Sequence, residues 1–183
     1  MSPAPGDYSK SWWEQIWEAL AGAMAVRGLP AGASSAVITL PTGYRTPEPP
    51  PCLESRSIDD CEPELRDRII KLMLAFKREQ GKELFITCSW RSTARQQELY
   101  QQGRVKPGYI VTNIDGIKTR SRHNYYPSQA VDVCVDDDLG VGKHPVWDIK
   151  AYMPLEELCQ RFGLVWGGSW KHLKDYPHIE MKP

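Results

Sequence analysis

The sequence predicts an α+β domain, with a small and mainly antiparallel sheet and flanking helices, behind an N-terminal helix and a linker. From about Asp59 onward, segments with helical spacing of apolar residues interleave with short β-rich segments, without the regular alternation of a parallel fold. Before them, residues 32–51 are rich in Gly, Pro, Ser and Thr, which is typical of a linker. We therefore divide the chain into residues 1–50 and a domain of residues 51–183.

The N-terminal helix is predicted from Ser11 to about Val26. Its apolar residues fall at helical spacing, and Gly28 and Pro30 end it. Its polar face carries glutamates where surface-binding helices usually carry Lys and Arg, which favours packing on protein over binding a membrane surface. In the linker only Ala36–Leu40 has the composition of a strand.

The first elements of the domain follow from local signals. Pro63 suits the first turn of a helix, and Gly81 ends that helix. Its apolar stripe consists of Leu65, Ile69, Leu72, Met73 and Phe76. Glu83–Ser89 is β-rich and short, so we predict a strand, followed by a second helix from about Thr93 to Gln102 with Gly103 as its cap.

The second half of the domain contains a loop and four further elements. Lys106–Thr119 is predicted as loop and extended chain. In the strand Ala130–Val135, three valines share one face while Ala130, Asp132 and Cys134 share the other. Pro154 opens a third helix that reaches about Phe162. The remaining predicted strands are Leu164–Trp166 and His178–Met181.

Composition excludes several classes of protein. Lys and Arg number 23, as do Asp and Glu, whereas domains that bind nucleic acid carry a basic excess, so no nucleic-acid partner is expected. No apolar run reaches the roughly 18 residues of a membrane span, and the acidic residues near the N-terminus do not fit a signal peptide. We expect cytoplasmic synthesis without membrane insertion. The five cysteines predict reduced, buried thiols, with a Cys52–Cys61 pair as the alternative.

Two of the four histidines, His123 and His178, lie near carboxylates in a pattern that suits zinc. Catalytic zinc takes three protein ligands and leaves a fourth position open, while a carboxylate outside the ligand set moves the proton. His123, Asp132 and His178 could be those ligands, with Asp175 as the free carboxylate. A cation would also offset the cost of burying Asp132 among valines. On spacing alone the alternative stays open that the histidines are structural and that Asp132 lies on the wet face of an edge strand.

Ordered motifs run from about Leu65 to Lys182. They are Ser89-Trp-Arg91-Ser92, then Gln96 with Leu99-Tyr100-x-x-Gly103, Ser121-x-His123, Ala130-x-Asp132, Phe162-Gly-Leu-Val-Trp166-Gly-Gly-Ser-Trp170, and Asp175-x-Pro177-His178. Together they resemble the D-alanyl-D-alanine metallopeptidase family, zinc peptidases of bacterial peptidoglycan whose fold is shared with the hedgehog signalling domain. The resemblance implies that fold for residues 51–183, as a zinc peptidase catalytic domain.

The same resemblance implies roles for single residues. His123, Asp132 and His178 would hold Zn²⁺, and Asp175 would act as general base and acid. Arg91 would meet a carbonyl oxygen or carboxylate of the substrate, the alternative being a structural ion pair. Ser121 and Glu180 are expected to orient the ligands. Trp166 and Trp170 would either wall the cleft or belong to the core. His144 and His172 are expected to be surface residues.

One segment departs from the commoner family pattern. There the first histidine and the aspartate lie seven positions apart with a glycine between them, whereas His123 and Asp132 lie nine apart and Ser128 stands at the glycine position. Because the extra length falls in a loop before the strand, we expect the ligand pair to be retained.

The form of the last motif resembles the branch that cleaves between L-alanine and D-glutamate, as phage endolysins do. We therefore predict an endopeptidase acting on the peptidoglycan stem peptide, as a monomer, with a holin as the partner for its release to the cell wall. The alternatives are a D-Ala-D-Ala carboxypeptidase and a non-catalytic, zinc-stabilised binding module. The free carboxylate of Asp175 separates the last alternative from both enzymes, because a binding module has no use for it.

Overall fold

A five-stranded antiparallel sheet forms the centre of the structure, a computed structural model that describes residue 49 and residues 53–136, 145–146 and 148–182. The strands are β1 (Glu83–Cys88), β2 (Ala130–Asp136), β3 (Pro145–Val146), β4 (Leu164–Trp166) and β5 (His178–Met181). The helices are α1 (Pro63–Gln80), α2 (Thr93–Gln101), α3 (Ile149–Tyr152) and α4 (Leu155–Arg161). Every strand pair is antiparallel, which confirms the predicted α+β class.

Helix α1 supplies much of the core. Pro63 occupies its first turn, and Gly81 ends it in the left-handed region at φ 65°, where a side chain would be strained. Its buried residues are Leu65, Ile69, Leu72, Ala75 and Phe76. These side chains pack in one cluster with residues of the sheet and of α4, including Val133 and Leu158. Burial of this apolar stripe is what holds the helix on the sheet.

Strand β2 lies inside the sheet, whose order is β1-β2-β5-β4. It pairs with β1 on one side, and with β5 and the short β3 over different parts of its length. The alternative that Asp132 lies on the wet face of an edge strand is therefore wrong. Because its backbone is paired with two neighbouring strands, the position of Asp132 is fixed on both sides.

The two faces of the sheet have different contents. Val131 lies opposite Ile179, and both belong to the apolar core. Side chains alternate along strands, so the next pair, Asp132 opposite His178, points to the other face. The pair of Ala130 with Glu180 shares that second face. Two adjacent strands thus present three of the predicted site residues side by side.

Residues 53–55 already pack on the domain, ahead of Asp59, near which its regular elements were predicted to begin. Residues 53–55 run beside the chain that follows β1, with the Ser55 N–H donating to the Trp90 carbonyl at 2.8 Å and the Ser89 N–H to the Ser55 carbonyl at 2.7 Å. These bonds hold the segment after β1, which carries Ser89 and Arg91, against the domain.

Several element predictions need correction. The third helix begins at Leu155, with Pro154 as its N-cap, and the second helix ends at Gln101. Elements α3 and β3 have four and two residues, too short for a periodic pattern, and were not predicted. Three 3₁₀ turns were also not predicted: Ile58–Asp60, Arg122–Asn124 and Gly167–Ser169.

Some predictions fall outside the described residues. These are the helix from Ser11 to about Val26, the strand Ala36–Leu40, most of the linker, Cys52 and His144. Within the described part, Cys61, Cys88, Cys134 and Cys159 are buried free thiols, and His172 is exposed. No helix among the described residues is long and apolar enough to cross a membrane.

Candidate metal centre

Three predicted ligands meet on the face of the sheet that points away from the apolar core. Asp132 lies in β2, His178 opens β5, and His123 lies in the 3₁₀ turn Arg122–Asn124. Asp132 Oδ1 is 3.1 Å from His123 Nε2 and 3.1 Å from His178 Nδ1. The two ring nitrogens are 3.2 Å apart. Residues that are 55 positions apart in the sequence therefore form one compact triangle of nitrogen and oxygen atoms.

The outer nitrogens of the two rings fix how the inner ones face the triangle. His123 Nδ1 lies 2.7 Å from the Ser89 carbonyl, which only accepts, so Nδ1 carries the hydrogen and Nε2 presents its lone pair inward. His178 Nε2 lies 3.1 Å from Glu180 Oε2 and donates to it, so Nδ1 is the nitrogen that faces inward. Partners of this kind are the usual means of orienting imidazole ligands.

This donor set fits a zinc ion. Zinc bonds of about 2.0–2.2 Å in tetrahedral geometry place ligand atoms about 3.4 Å apart, within a few tenths of an ångström of the triangle's edges. Two imidazole nitrogens and one carboxylate oxygen are typical zinc ligands. Two imidazole nitrogens and an anionic oxygen at these distances repel each other unless a proton or a metal ion lies between them. The three side chains thus satisfy the chemistry expected of a cation site.

The pKa shifts of the ligands point the same way. Burial would raise the pKa of Asp132, but the neighbouring His123, His178 and Arg91 lower it well below its usual value. Burial would lower the pKa of His178, but hydrogen bonds with Asp132 and Glu180 outweigh it and raise the pKa to about 10. Without an ion, His178 is therefore protonated and donates from Nδ1 to Asp132 Oδ1; a metal ion bound in the triangle would displace that proton.

Asp175 lies beside the triangle, in the segment that leads into β5. Its carboxylate and the ligand atoms of Asp132 and His178 lie within 4.8 Å of one another. Burial, with the nearby charge of Asp132, raises the pKa of Asp175 to about 7, so this carboxyl can both accept and release a proton near neutrality. The Asp175 N–H donates to the Gly167 carbonyl at 3.1 Å. A Cβ on Gly167 would lie 2.5 Å from the Asp175 carbonyl oxygen, so the close approach requires glycine there.

Arg91 contacts a ligand directly. Its Nη2 donates to Asp132 Oδ2 at 3.0 Å, on the carboxylate oxygen that faces away from the triangle. Its Nη1 donates to Gln96 Oε1 at 3.1 Å. The guanidinium thus forms the ion pair that was the alternative to substrate binding, and it pairs with a predicted metal ligand. A contact of Arg91 with substrate stays a prediction.

The two residues predicted to orient ligands do so in different ways. Glu180 contacts the His178 ring, as described above. Ser121 does not contact a ring: its hydroxyl accepts from the His123 N–H at 3.3 Å, and the Asn124 side chain accepts from the Ser121 N–H at 3.1 Å. This reciprocal capping box shapes the turn that carries His123.

The two tryptophans lie in different environments. Trp166 is buried in the apolar core, and its indole N–H donates to the Tyr176 carbonyl at 2.7 Å. Trp170 is half-buried, and its ring centroid lies 5.0 Å from that of His178. Of the two, Trp170 is therefore the one placed to form a wall of the site.

Sequence reasoning missed several neighbours of the ligands. The partner that orients His123 is a backbone carbonyl, that of Ser89, and such a partner leaves no signal in the sequence. Ser128, at the family's glycine position, donates to the same carbonyl at 2.8 Å. Cys88 Sγ lies 3.8 Å from His123 Nδ1. Burial raises the pKa of Cys88 to about 12, so it remains a protonated thiol and a poor ligand.

The comparisons with known proteins match the part of the chain that carries this site. The model of a family described as D-alanyl-D-alanine carboxypeptidase matches residues 115–181, the segment that contains His123, Asp132, Asp175 and His178. The Bacillus subtilis peptidoglycan L-alanyl-D-glutamate endopeptidase CwlK is 37% identical over 113 residues. That match covers 57% of this chain and 64% of the relative, so the chain spans less than two thirds of the relative's length.

Two solved structures are also similar to this chain, at lower sequence identity than the curated relative. The L-Ala D-Glu endopeptidase ChiX of Serratia marcescens is 28% identical, with 68% of this chain and 83% of that chain covered and a TM-score of 0.48. The vancomycin resistance D,D-pentapeptidase VanY, solved in complex with Zn(II), is 16% identical, with 66% and 72% covered and a TM-score of 0.47. Residues 115–181 of this chain are thus similar to the D-alanyl-D-alanine carboxypeptidase family, and the chain is similar to a peptidoglycan L-alanyl-D-glutamate endopeptidase.

Proposed function

We propose that the protein is a zinc-dependent peptidoglycan hydrolase that cleaves the stem peptide between L-alanine and D-glutamate. The observation that carries the proposal is the triangle of His123, Asp132 and His178, a donor set that suits a metal cation, with the carboxylate of Asp175 beside it. The relative that is 37% identical carries the same activity in its name, which supports the choice of bond.

His123, Asp132 and His178 would hold the metal. A zinc ion bound there would supply Lewis acidity toward the scissile carbonyl and make water a better nucleophile. Arg91 holds Asp132 by the carboxylate oxygen that faces away from the triangle, and Glu180 and the Ser89 carbonyl hold the two rings. These contacts fix the ligands before any substrate arrives, which is the preorganisation that catalysis requires.

Asp175 would carry the proton. Its carboxylate lies beside the ligand atoms of Asp132 and His178, so it can take a proton from the attacking water and pass it to the leaving amine. Trp170, whose ring is tilted by 48° against that of His178, would form one wall of the cleft that receives the peptide.

The direct test is a digest of purified peptidoglycan followed by mass spectrometry of the new ends. Cleavage between L-alanine and D-glutamate creates new D-glutamate amino termini. A carboxypeptidase would instead release free D-alanine; this second candidate is favoured by the description of the family that matches residues 115–181. Appearance of free D-alanine without new amino termini would replace the endopeptidase proposal with the carboxypeptidase.

A variant of Asp175 tests whether the site is catalytic at all. We expect Asp175→Asn to keep stoichiometric zinc, because Asp175 lies outside the ligand triangle, but to lower hydrolysis by about a hundredfold or more, the usual contribution of a general base. Zinc is measured by atomic emission and hydrolysis by release of peptides from peptidoglycan. If the wild type binds zinc but leaves peptidoglycan intact, the chain is a zinc-stabilised binding module.

Two further expectations, on oligomeric state and on release, remain predictions made from the sequence. One is that the enzyme acts as a monomer, which sedimentation of the purified protein would test. The other is that a holin releases it to the cell wall. Expressing the protein in bacteria with and without a holin and timing lysis would test this, since lysis at the same time in both cultures would exclude the dependence.

A further inference from the structure

Helix α2 is attached to the site by a polar residue. Of its nine residues, all of which the structure describes, only Gln96 is buried. A helix normally packs through an apolar stripe, and a buried amide costs free energy unless its hydrogen bonds are made. The burial of Gln96 therefore points to a role that apolar packing cannot supply.

The amide of Gln96 is almost fully hydrogen-bonded. Oε1 accepts from Arg91 Nη1 at 3.1 Å. Nε2 donates to the Ile114 carbonyl at 2.8 Å and to Thr112 Oγ1 at 3.3 Å. Both amide hydrogens are thus used on the loop of residues 102–120, and the oxygen is used on the arginine. This division also fixes the orientation of the amide, because only the oxygen can accept from a guanidinium.

The loop is fitted to this side chain. Gly116 has a φ of 79°, and a Cβ there would lie 2.9 Å from Gln96 Cγ. The chain at Gly116 therefore passes directly over Gln96, where only glycine leaves room. A continuous set of contacts runs from the predicted ligand Asp132 to Arg91, on to Gln96, and ends at the backbone of the loop.

We propose that Gln96 is a positioning residue, which holds the Arg91 guanidinium against Asp132 and is itself held by the loop. Arg91 has a partly exposed side chain and would otherwise have several rotamers open to it. With one end on Asp132 and the other on Gln96, its planar fork is fixed. The proposal rests on the proposed peptidase activity, because its effect is expressed in the rate of that reaction.

Two substitutions separate positioning from mere stability. Gln96→Met keeps the volume but removes every hydrogen bond, and we expect kcat to fall about tenfold, the effect of losing one hydrogen bond to a charged group, with KM changed less than about twofold. Gln96→Glu keeps an acceptor for Arg91 but loses both donors to the loop. We expect it to lower the melting temperature while kcat stays within about threefold of wild type.

The matched control is Gln97→Met, the same substitution at the next position of α2. Among the described residues Gln97 has no side-chain hydrogen bond, so kcat is expected to stay within about twofold of wild type. Rates are measured on soluble stem peptides prepared from purified peptidoglycan, alongside zinc content and thermal unfolding. A wild type that is inactive on these peptides refutes the proposed function itself. An active wild type whose Gln96→Met variant keeps its kcat refutes only the positioning role, as does a loss of kcat in both variants in proportion to their loss of stability.

Discussion

The two halves of the candidate metal centre are held by different kinds of interaction. Asp132 and His178 lie directly opposite each other on paired strands, so backbone hydrogen bonds fix both residues. His123 lies in a one-turn 3₁₀ helix and is held by the Ser121 cap and the Ser89 carbonyl. The strand half is thus supported by the whole sheet, whereas the turn half depends on a few individual contacts. We therefore expect substitutions around His123 to weaken zinc binding by disturbing the local structure of the turn. Substitutions around β5 should leave the backbone in place, because the sheet supports it.

The largest effect should come from removing a ligand of the strand half. We expect His178→Ala to lose stoichiometric zinc and to lower peptidoglycan hydrolysis by more than about a thousandfold, since zinc sites require all three protein ligands. Because the backbone pairing of β5 does not need the imidazole, thermal unfolding should remain cooperative. Metal analysis, circular dichroism and a peptide-release assay check these points; full zinc occupancy in this variant would exclude His178 as a ligand.

An intermediate effect is expected from the partner of the His178 ring. Glu180→Gln removes the charge that Glu180 Oε2 presents to His178 Nε2 at 3.1 Å. Loss of such a partner usually costs about tenfold to a hundredfold in metal affinity. Competition with a zinc chelator measures the change. Among the residues that the structure describes, the exposed Glu157 pairs only with Arg161, so Glu157→Gln is the matched control and should leave zinc affinity unchanged.

The smallest effect tests the turn half. Ser121→Ala removes the cap of the turn that carries His123, and we expect a loss of about 1 kcal/mol in stability together with about a tenfold loss in zinc affinity. Ser57 caps a similar turn, Ile58–Asp60, through the Asp59 N–H at 3.2 Å. Ser57→Ala should lose stability without weakening zinc binding. Equal zinc affinities in the two variants would show that the cap does not position His123.

The elements of the fold were predictable because their signals are local, whereas the proposed ligands were identified through the ordered motifs of a family resemblance. Each of these signals lies within a short window of sequence: the apolar stripe of α1, the alternation of side chains along β2, and the glycine at position 81 that ends α1. The order of strands was not predictable, because nothing within β2 indicates that β5 and β1 are its neighbours. Tertiary pairing alone excluded the edge-strand alternative for Asp132.

The contacts that hold the ligands in place were largely not predictable. The Ser89 carbonyl is a backbone group, and the contact of Arg91 with Gln96 depends on how α2 lies against the segment after β1. Trp166 and Trp170 are four positions apart and equally aromatic, yet one lies in the core and the other beside His178. Such differences arise from three-dimensional packing and not from residue type.

The direct pairing of Asp132 with His178 also limits how this protein can be re-engineered. A one-residue insertion within β2 or β5 would shift the register and turn a metal-binding side chain into the apolar core. Length changes are therefore confined to the connections, such as the 102–120 loop and the segment between the Gly167–Ser169 turn and β5. Under the proposed function, exchanging those connections between homologues is the way to alter cleavage specificity while the sheet that would bind the ion is left intact.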